Sequence, residues 1–288
     1  MAYIALIGIE FLYAFATLVL VSLGLAVIFG MMRIINLAHG EFIVLGSYAA
    51  IFASRTGLSS WVCCLVIAPL AVAAIGFVLE RLIMRHLYGR IVETMLATWG
   101  LSLFITGLLS AVFGTSTSGI PVPLGPLPIG PYSTSAYNLA IILATIAAVA
   151  GLYAILKFTR FGLLARGTMQ NPEMASALGV NTSIVYSATF ALGAGLAGLA
   201  GGLLAPVTGV FPTIGGAYIG KAFITVISGG SAIIAGTVSA SGVLAIVSQF
   251  ATFATNQVFG EVALLFAALF IIRLLPNGIT SRFFRRSL

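Results

Sequence analysis

The sequence has 288 residues, of which 60% are hydrophobic and only 7% carry a charge, and its mean hydropathy is +1.18. Soluble domains carry about 25% charged residues, and so little charge could not cover the surface of a chain of this length in water. The composition therefore excludes a soluble protein and indicates one that is integral to a membrane.

Apolar blocks separated by short polar segments follow one another along the chain. About 20 apolar residues cross a bilayer as a helix, whereas the strands of a membrane barrel alternate in polarity over about 10 residues. We therefore predict an all-α polytopic membrane protein with about eight transmembrane helices, within a range of eight to ten. The blocks are about 8–30, 34–54, 61–79, 94–113, 136–156, 183–205, 221–234, 237–255 and 261–275. Block 221–234 is short for a span and either crosses the membrane or is re-entrant.

The polar segments between the blocks differ in charge, and this difference predicts the side on which each lies. Residues 114–135 are rich in Gly, Pro, Ser and Thr and carry no charge, so they form an outer loop. Residues 157–181 hold Lys157, Arg160 and Arg166 and form an inner loop. Eleven of the 13 Lys and Arg residues fall on this inner side, as the positive-inside rule requires. The N-terminus is therefore predicted outside and the C-terminus inside, and the net charge of +7 requires no nucleic-acid partner.

A cluster of polar residues, Asn36, His39 and Glu41, lies with Gly40 inside the second apolar block. A charge within a span costs roughly 2.5–3.5 kcal/mol on insertion scales and is usually turned toward the protein interior. We favour the interpretation that Gly40 permits a break in the helix and that the three polar side chains satisfy the freed backbone groups. Two alternatives stay open, a direct contact with a solute and a proton relay through His39 and Glu41.

Residues 170–181 have the features of a short helix on the inner side. Asn171 is a suitable N-cap, Pro172 suits the first helical position, and Glu173 is favoured in the first turn by the helix dipole. Gly179 suits the position just after a helix end. We therefore predict a helix of about two turns.

One face of this short helix is apolar, because Met174, Ala177 and Leu178 are spaced at i, i+3 and i+4. The face rests on the bilayer or on other spans in one interpretation. In the other, it is a docking site for a cytosolic partner.

Two glycine-rich segments resemble nucleotide-binding motifs, but we expect neither to bind a nucleotide. The segment GGAYIGKA, residues 215–222, matches a phosphate-binding loop, but Ala222 replaces the Ser or Thr that binds magnesium, and the chain has no Asp. We expect an outer turn that leads into a helix at Lys221. Gly193, Gly195, Gly198, Gly201 and Gly202 are expected to allow close helix contact. We predict no nucleotide, metal or catalytic site, and therefore no enzyme.

Three sequence blocks in this order resemble the permease subunits of the branched-chain amino acid family of ABC importers. The first, residues 30–50, contains the N-x-A-H-G-E motif as Asn36 to Glu41. The second is the inner loop that ends with residues 171–181. The third is residues 221–236, which include Lys221, Gly229, Gly230 and Ser231.

This resemblance implies a single transmembrane permease domain over residues 1–288 in the bacterial inner membrane. It implies three kinds of partner besides the lipid bilayer: a second homologous permease subunit, two cytosolic ABC ATPase subunits that use ATP and magnesium, and a periplasmic solute-binding protein. It implies no cofactor in this chain. It also implies that the helix from Asn171 to Val180 is the coupling helix that sits on an ATPase subunit.

The transported solute is not specified by the resemblance, because the same permease type also serves urea and short amides. The residues alone also allow a proton-coupled secondary carrier or a passive channel. Neither of these two classes requires a coupling helix.

Overall fold

The computed structural model describes residues 2–230 and 232–280. In these residues the chain is almost entirely helical, with one short hairpin between the fifth and sixth helices. The helices are α1 (Ala2–Met32), α2 (His39–Ser54), α3 (Ser60–Val62), α4 (Ala68–Leu82), α5 (Ile91–Phe113), α6 (Ala136–Phe158), α7 (Arg160–Gln170), α8 (Pro172–Ala177), α9 (Thr182–Leu204), α10 (Gly215–Gly229), α11 (Ile233–Ala254) and α12 (Gln257–Leu274). A π-helical segment, Cys63–Ile67, joins α3 to α4, and a 3₁₀ turn, Met84–His86, follows α4.

Seven helical stretches in the described residues are long and apolar enough to cross a membrane, which confirms an all-α polytopic membrane protein. They are Ala2–Met32, Ser60–His86, Ile91–Phe113, Ala136–Phe158, Thr182–Leu204, Ile233–Ala254 and Gln257–Leu274. Helices α2 and α10 are shorter, with 16 and 15 residues. Termini on opposite sides of a membrane require an odd number of crossings. The predicted orientation therefore fits the seven stretches alone or with both α2 and α10, and it does not fit eight crossings.

The chain forms two compact units. One consists of the residues up to Leu23, Val122–Ala148 and the residues from Gly220 onward. Its helices α11 and α12 pack on each other, and buried apolar side chains join them to α1: Leu18, Leu244, Ala245, Leu264 and Ala268.

The other unit, Gly24–Pro121 and Val149–Ile219, is built around α9. The glycines of α9 bring backbones together, because a Cβ on Gly201 would collide with the Ile43 carbonyl oxygen and one on Gly198 would lie 2.7 Å from that of Ala68. Ser47 adds a hydrogen bond from its hydroxyl to the Gly201 carbonyl at 2.9 Å. The close helix contact predicted for this glycine run is confirmed.

Two segments predicted as irregular are ordered. Within the outer loop, β1 (Pro126–Ile129) pairs antiparallel with β2 (Tyr132–Ser135), with Gly130 and Pro131 between the two strands. The expected turn at residues 215–220 is wrong, since α10 already begins at Gly215. A pair of glycines indicates a turn by local propensity alone, whereas here the absence of a side chain at Gly215 permits close packing.

Candidate functional site

The chain is non-helical between α1 and α2, over residues 33–38, directly before α2 and not at Gly40 as predicted. Arg33 follows α1 with φ of 53°, the one non-glycine residue in the described part of the chain with a left-handed backbone. The predicted break at Gly40 is wrong. Helix α2 begins at His39, and Gly40 lies in its first turn. Asn36 instead organises the entry to α2. Its side-chain oxygen accepts the Ala38 N–H at 3.1 Å, and its carbonyl accepts the His39 N–H at 3.3 Å.

A hydroxyl on α5 holds this non-helical entry in place. Thr98 Oγ1 accepts the Leu37 N–H at 3.1 Å and lies 3.3 Å from the Ile35 carbonyl oxygen. Thr98 is fully buried. The sequence analysis missed Thr98, since 61 residues separate it from Leu37 and no local pattern connects the two.

The predicted polar cluster is buried as a whole. Asn36 and His39 are fully buried, and Glu41 is 4% exposed. The His39 ring packs toward α1, where a Cβ on Gly24 would lie 3.1 Å from His39 Cε1. Glu41 points elsewhere: the Ser102 and Thr106 hydroxyls of α5 face its carboxylate. Direct proton transfer from His39 to Glu41 thus receives no support from these contacts.

Gly40 serves close approach between helices. A Cβ at Gly40 would collide with the Gly215 carbonyl oxygen at the start of α10, and a Cβ at Gly215 would lie 2.9 Å from Glu41 Oε1. The two glycines therefore let α2 and α10 meet backbone to backbone beside the carboxylate. Glu41 also lies in the first turn of α2, where the helix dipole favours a negative charge.

Two buried polar atoms of the cluster, Asn36 Nδ2 and Glu41 Oε2, have no hydrogen-bond partner among the described residues. Buried polar groups are usually satisfied, so these atoms offer a donor and an acceptor to a small polar molecule. The interpretation of this region as a solute contact therefore stays a prediction, beside the structural one.

The predicted short helix is present as α8, and its start has the expected cap. Asn171 has an extended backbone, and its side-chain oxygen accepts the Met174 N–H at 2.9 Å. Pro172 is the first helical residue and Glu173 lies in the first turn. Helix α7 ends immediately before Asn171, so this residue both ends one helix and begins the next.

Backbone hydrogen bonds define the end of α8. The Val180 N–H bonds to the Ala175 carbonyl at 3.0 Å, and the Gly179 N–H bonds to the Ser176 carbonyl at 2.9 Å. Gly179 has φ of 85°, so the chain ends this helix with a Schellman motif. Asn181 then caps α9, accepting the Ile184 N–H at 3.2 Å.

The apolar face of α8 is exposed among the residues that the structure describes. Met174 is 58% exposed and Leu178 is 78% exposed, and Ala177 is also exposed. Only Ala175 turns inward, at 7% exposure. A capped helix that presents its largest apolar side chains outward can act as a docking element.

The described residues of the third sequence block, residues 221–236, make contacts within the fold. Lys221 Nζ lies 2.7 Å from Glu261 Oε1, which ties α10 to α12. Gly229 ends α10 against Gly236, and Thr280 donates to the Gly229 carbonyl at 2.7 Å. Gly230 is left-handed, with φ of 86°. Ser231 lies outside the described residues.

A second buried carboxylate, Glu80 at the end of α4, was not singled out in the sequence. It is fully buried, and the hydroxyls of Tyr88 and Ser187 donate to it. Burial and the hydrogen bond to Glu80 raise the pKa of Tyr88, so its hydroxyl stays protonated and remains a donor. The only sequence signal was an acid at the end of an apolar block, directly before Arg81.

Comparison with known proteins identifies the family. The family model described as "Branched-chain amino acid transport system / permease component" matches residues 7–275. The chain belongs to this family. The predicted resemblance is therefore confirmed, and the permease is a multi-pass membrane protein.

Similar proteins align with the permease over almost their full length. The high-affinity branched-chain amino acid transport system permease protein LivH of Escherichia coli is 26% identical over 283 residues, which cover 93% of this chain and 92% of LivH. The permease protein BraD of Pseudomonas aeruginosa is 27% identical over 285 residues, with the same coverage. A probable LivH of Methanocaldococcus jannaschii is 26% identical over 280 residues, or 91% of this chain and 88% of that protein. No solved structure matches significantly.

Proposed function

We propose that the permease is the transmembrane subunit of an ATP-driven importer for branched-chain or related small amino acids. Its family, and relatives named for high-affinity branched-chain amino acid transport, support this substrate class. In this proposal the permease forms the translocation path with a second homologous permease in the bacterial inner membrane. A periplasmic solute-binding protein delivers the solute, and two cytosolic ATPase subunits hydrolyse ATP with magnesium.

The observation that carries the proposal is the uncovered apolar face of α8. An importer whose ATPase is a separate chain needs a firm contact through which movement reaches the membrane helices. Helix α8 has such a contact surface in Met174 and Leu178, and caps at both ends hold the helix rigid. Its Schellman turn leads directly into α9, the central helix of its unit.

The charge distribution supports placing α8 on the cytosolic side. Lys157, Arg160 and Arg166 lie in α6 and α7 just before it, and basic residues concentrate on the cytosolic side of membrane proteins. The outer hairpin carries no charged residue. In this orientation the hairpin is periplasmic.

The test is to replace Leu178 by Ser in the full importer complex. We expect the variant to insert normally and to lose most of the co-purifying ATPase subunits, with amino acid uptake reduced about tenfold or more. Leu274→Ser is the matched control, because Leu274 is 73% exposed at the end of α12 and lies outside the proposed contact. It should keep both ATPase and uptake.

Undiminished ATPase and uptake in Leu178→Ser would contradict the coupling role. Uptake by the permease alone in liposomes under a proton gradient would instead identify a secondary carrier. Competition of uptake by leucine, urea and acetamide separates the amino acid importer from its alternative, an importer of the same type that carries urea or short amides.

A further inference from the structure

An apolar groove of about 600 Å³ runs along the α4 and α9 pair, and Ile155 of α6 and Phe161 of α7 also line it. Leu70, Ala73 and Phe77 of α4 line one wall, and Leu192, Gly195 and Leu199 of α9 line the other. Ala73 and Gly195 form a low floor, since a Cβ on Gly195 would lie 3.2 Å from that of Ala73. The larger side chains therefore rise on both sides of a channel that opens outward.

The length of this groove matches one leaflet of a bilayer. At about 1.5 Å per helical residue, Pro69 to Phe77 spans about 12 Å and Ala188 to Leu199 spans about 16 Å. Half of a hydrocarbon core of about 30 Å is about 15 Å. The length of the groove thus matches the depth that one acyl chain reaches.

A cationic side chain lies at one end of the groove. Arg81 lies one helical turn beyond Phe77, with its guanidinium carbon 5.1 Å from the centre of the Phe77 ring. The Ser187 hydroxyl accepts the Arg81 Nε–H at 3.2 Å and so orients the side chain. Within residues 2–230 and 232–280, no carboxylate oxygen lies within 4.0 Å of this guanidinium. Its terminal nitrogens are therefore free of a protein counter-ion.

The neighbouring acid, Glu80, makes no direct ion pair with Arg81 in the described part of the chain, although the Ser187 hydroxyl contacts both side chains. Glu80 is fully buried on α4, and its carboxylate accepts the hydroxyls of Tyr88 and Ser187. Arg81 is partly exposed beside it. The end of α4 thus carries a buried carboxylate, which accepts internal hydrogen bonds, and a partly exposed guanidinium at the end of the groove.

We propose that this groove binds one anionic phospholipid, with an acyl chain along α4 and α9 and the phosphate on Arg81. A guanidinium suits phosphate oxygens because its N–H groups can bond two of them at once. Basic sites between membrane helices are known to take lipid head groups. The bound lipid bridges α4 and α9 and stabilises the unit that carries α8. This inference does not depend on the importer proposal.

The head-group contact is tested by titrating the purified full-length permease with phosphatidylglycerol and counting bound lipids by native mass spectrometry. We expect Arg81→Gln to weaken phosphatidylglycerol binding about tenfold. Arg90→Gln removes the same charge from the exposed start of α5 and should leave binding unchanged. Phosphatidylcholine, whose choline cation offsets the charge of its phosphate, should bind more weakly than phosphatidylglycerol to the wild type and should lose less affinity than phosphatidylglycerol in Arg81→Gln.

The acyl-chain contact is tested by filling the groove. Leu70→Trp places a ring in it, whereas Leu82→Trp, at nearly the same exposure on the same helix, lies outside it: the two leucines are 65% and 67% exposed. Only Leu70→Trp should reduce lipid binding, by about fivefold or more.

Three results would overturn the proposal. The first is wild-type binding in Arg81→Gln, and the second is an equal loss in Arg90→Gln, which would indicate diffuse surface charge. The third is a cross-link from Leu70→Cys to another subunit with no bound phosphatidylglycerol in the wild type. That result would make the groove an interface between subunits.

Discussion

The entry to α2 and the helix α8 differ in opposite ways in the side chains that they bury and expose. At α2, the polar side chains of Asn36, His39 and Glu41 are buried. At α8, the apolar side chains of Met174 and Leu178 are exposed. Both segments are short, and side-chain or backbone hydrogen bonds fix the local structure of each.

Burial distinguishes the residues that pack this chain from those that can contact another chain. Buried polar groups at α2 meet α1, α5 and α10, so they serve the packing of this chain. The apolar side chains at α8 are largely exposed in the described part of the chain, so they are available to another chain. Substitutions in the first region should therefore reduce stability, and substitutions in the second should reduce coupling while the protein stays folded.

The largest effect is expected for Gly40→Ala. The added methyl group would collide with the Gly215 carbonyl, and overpacking a close contact costs about 1–3 kcal/mol. Thermal unfolding of the full-length permease in detergent measures this loss. Gly167→Ala in α7 is the control: a Cβ there meets nothing within 4 Å, and alanine favours a helix by about 1 kcal/mol. A Gly40→Ala variant as stable as the wild type would refute the close contact.

Glu41→Gln should have the next largest effect. The Ser102 and Thr106 hydroxyls face a carboxylate, and the amide offers one acceptor fewer, so we expect a loss of about 0.5–1.5 kcal/mol. The yield of assembled complex should fall, while the pH profile of uptake keeps its shape. Glu93→Gln, at an exposed position in the first turn of α5, should change neither. Normal yield with a shifted pH profile would support the proton relay instead.

Asn171→Ala should have the smallest effect on stability. It removes the cap on the Met174 N–H, a loss of about 1 kcal/mol that falls on a helix of six residues. We expect frayed α8, uptake reduced severalfold and an unchanged unfolding temperature. Asn171→Asp keeps an acceptor oxygen and should restore uptake. A lower unfolding temperature in Asn171→Ala would place α8 among the packing elements and remove the contrast between the two regions.

The parts that depend on local chemistry could be predicted from the sequence. Apolar blocks of membrane-spanning length correspond to the long helices, because bilayer thickness sets their length. The start and end of α8 follow from Asn171, Pro172 and Gly179, since caps depend on only a few neighbouring residues.

The parts of the structure that depend on contacts between distant residues could not be predicted from the sequence. Gly40 and Gly215 are weak helix formers by propensity, yet both lie in helices because the two backbones pack on each other. Thr98 and Ser187 look like ordinary hydroxyls in apolar blocks. Their partners are 61 and 107 residues away, and only the folded chain brings them together.

The turn after α10 limits where a reporter can be placed in this protein. Gly229 and Gly230 contact the backbones of Gly236 and Gly278, with too little space for even a methyl group. An epitope or fluorophore inserted there would separate two chain segments that touch directly. At Gly57, between α2 and α3, a side chain would meet nothing within 4 Å, so that turn is the better site for a tag that leaves the helices in place.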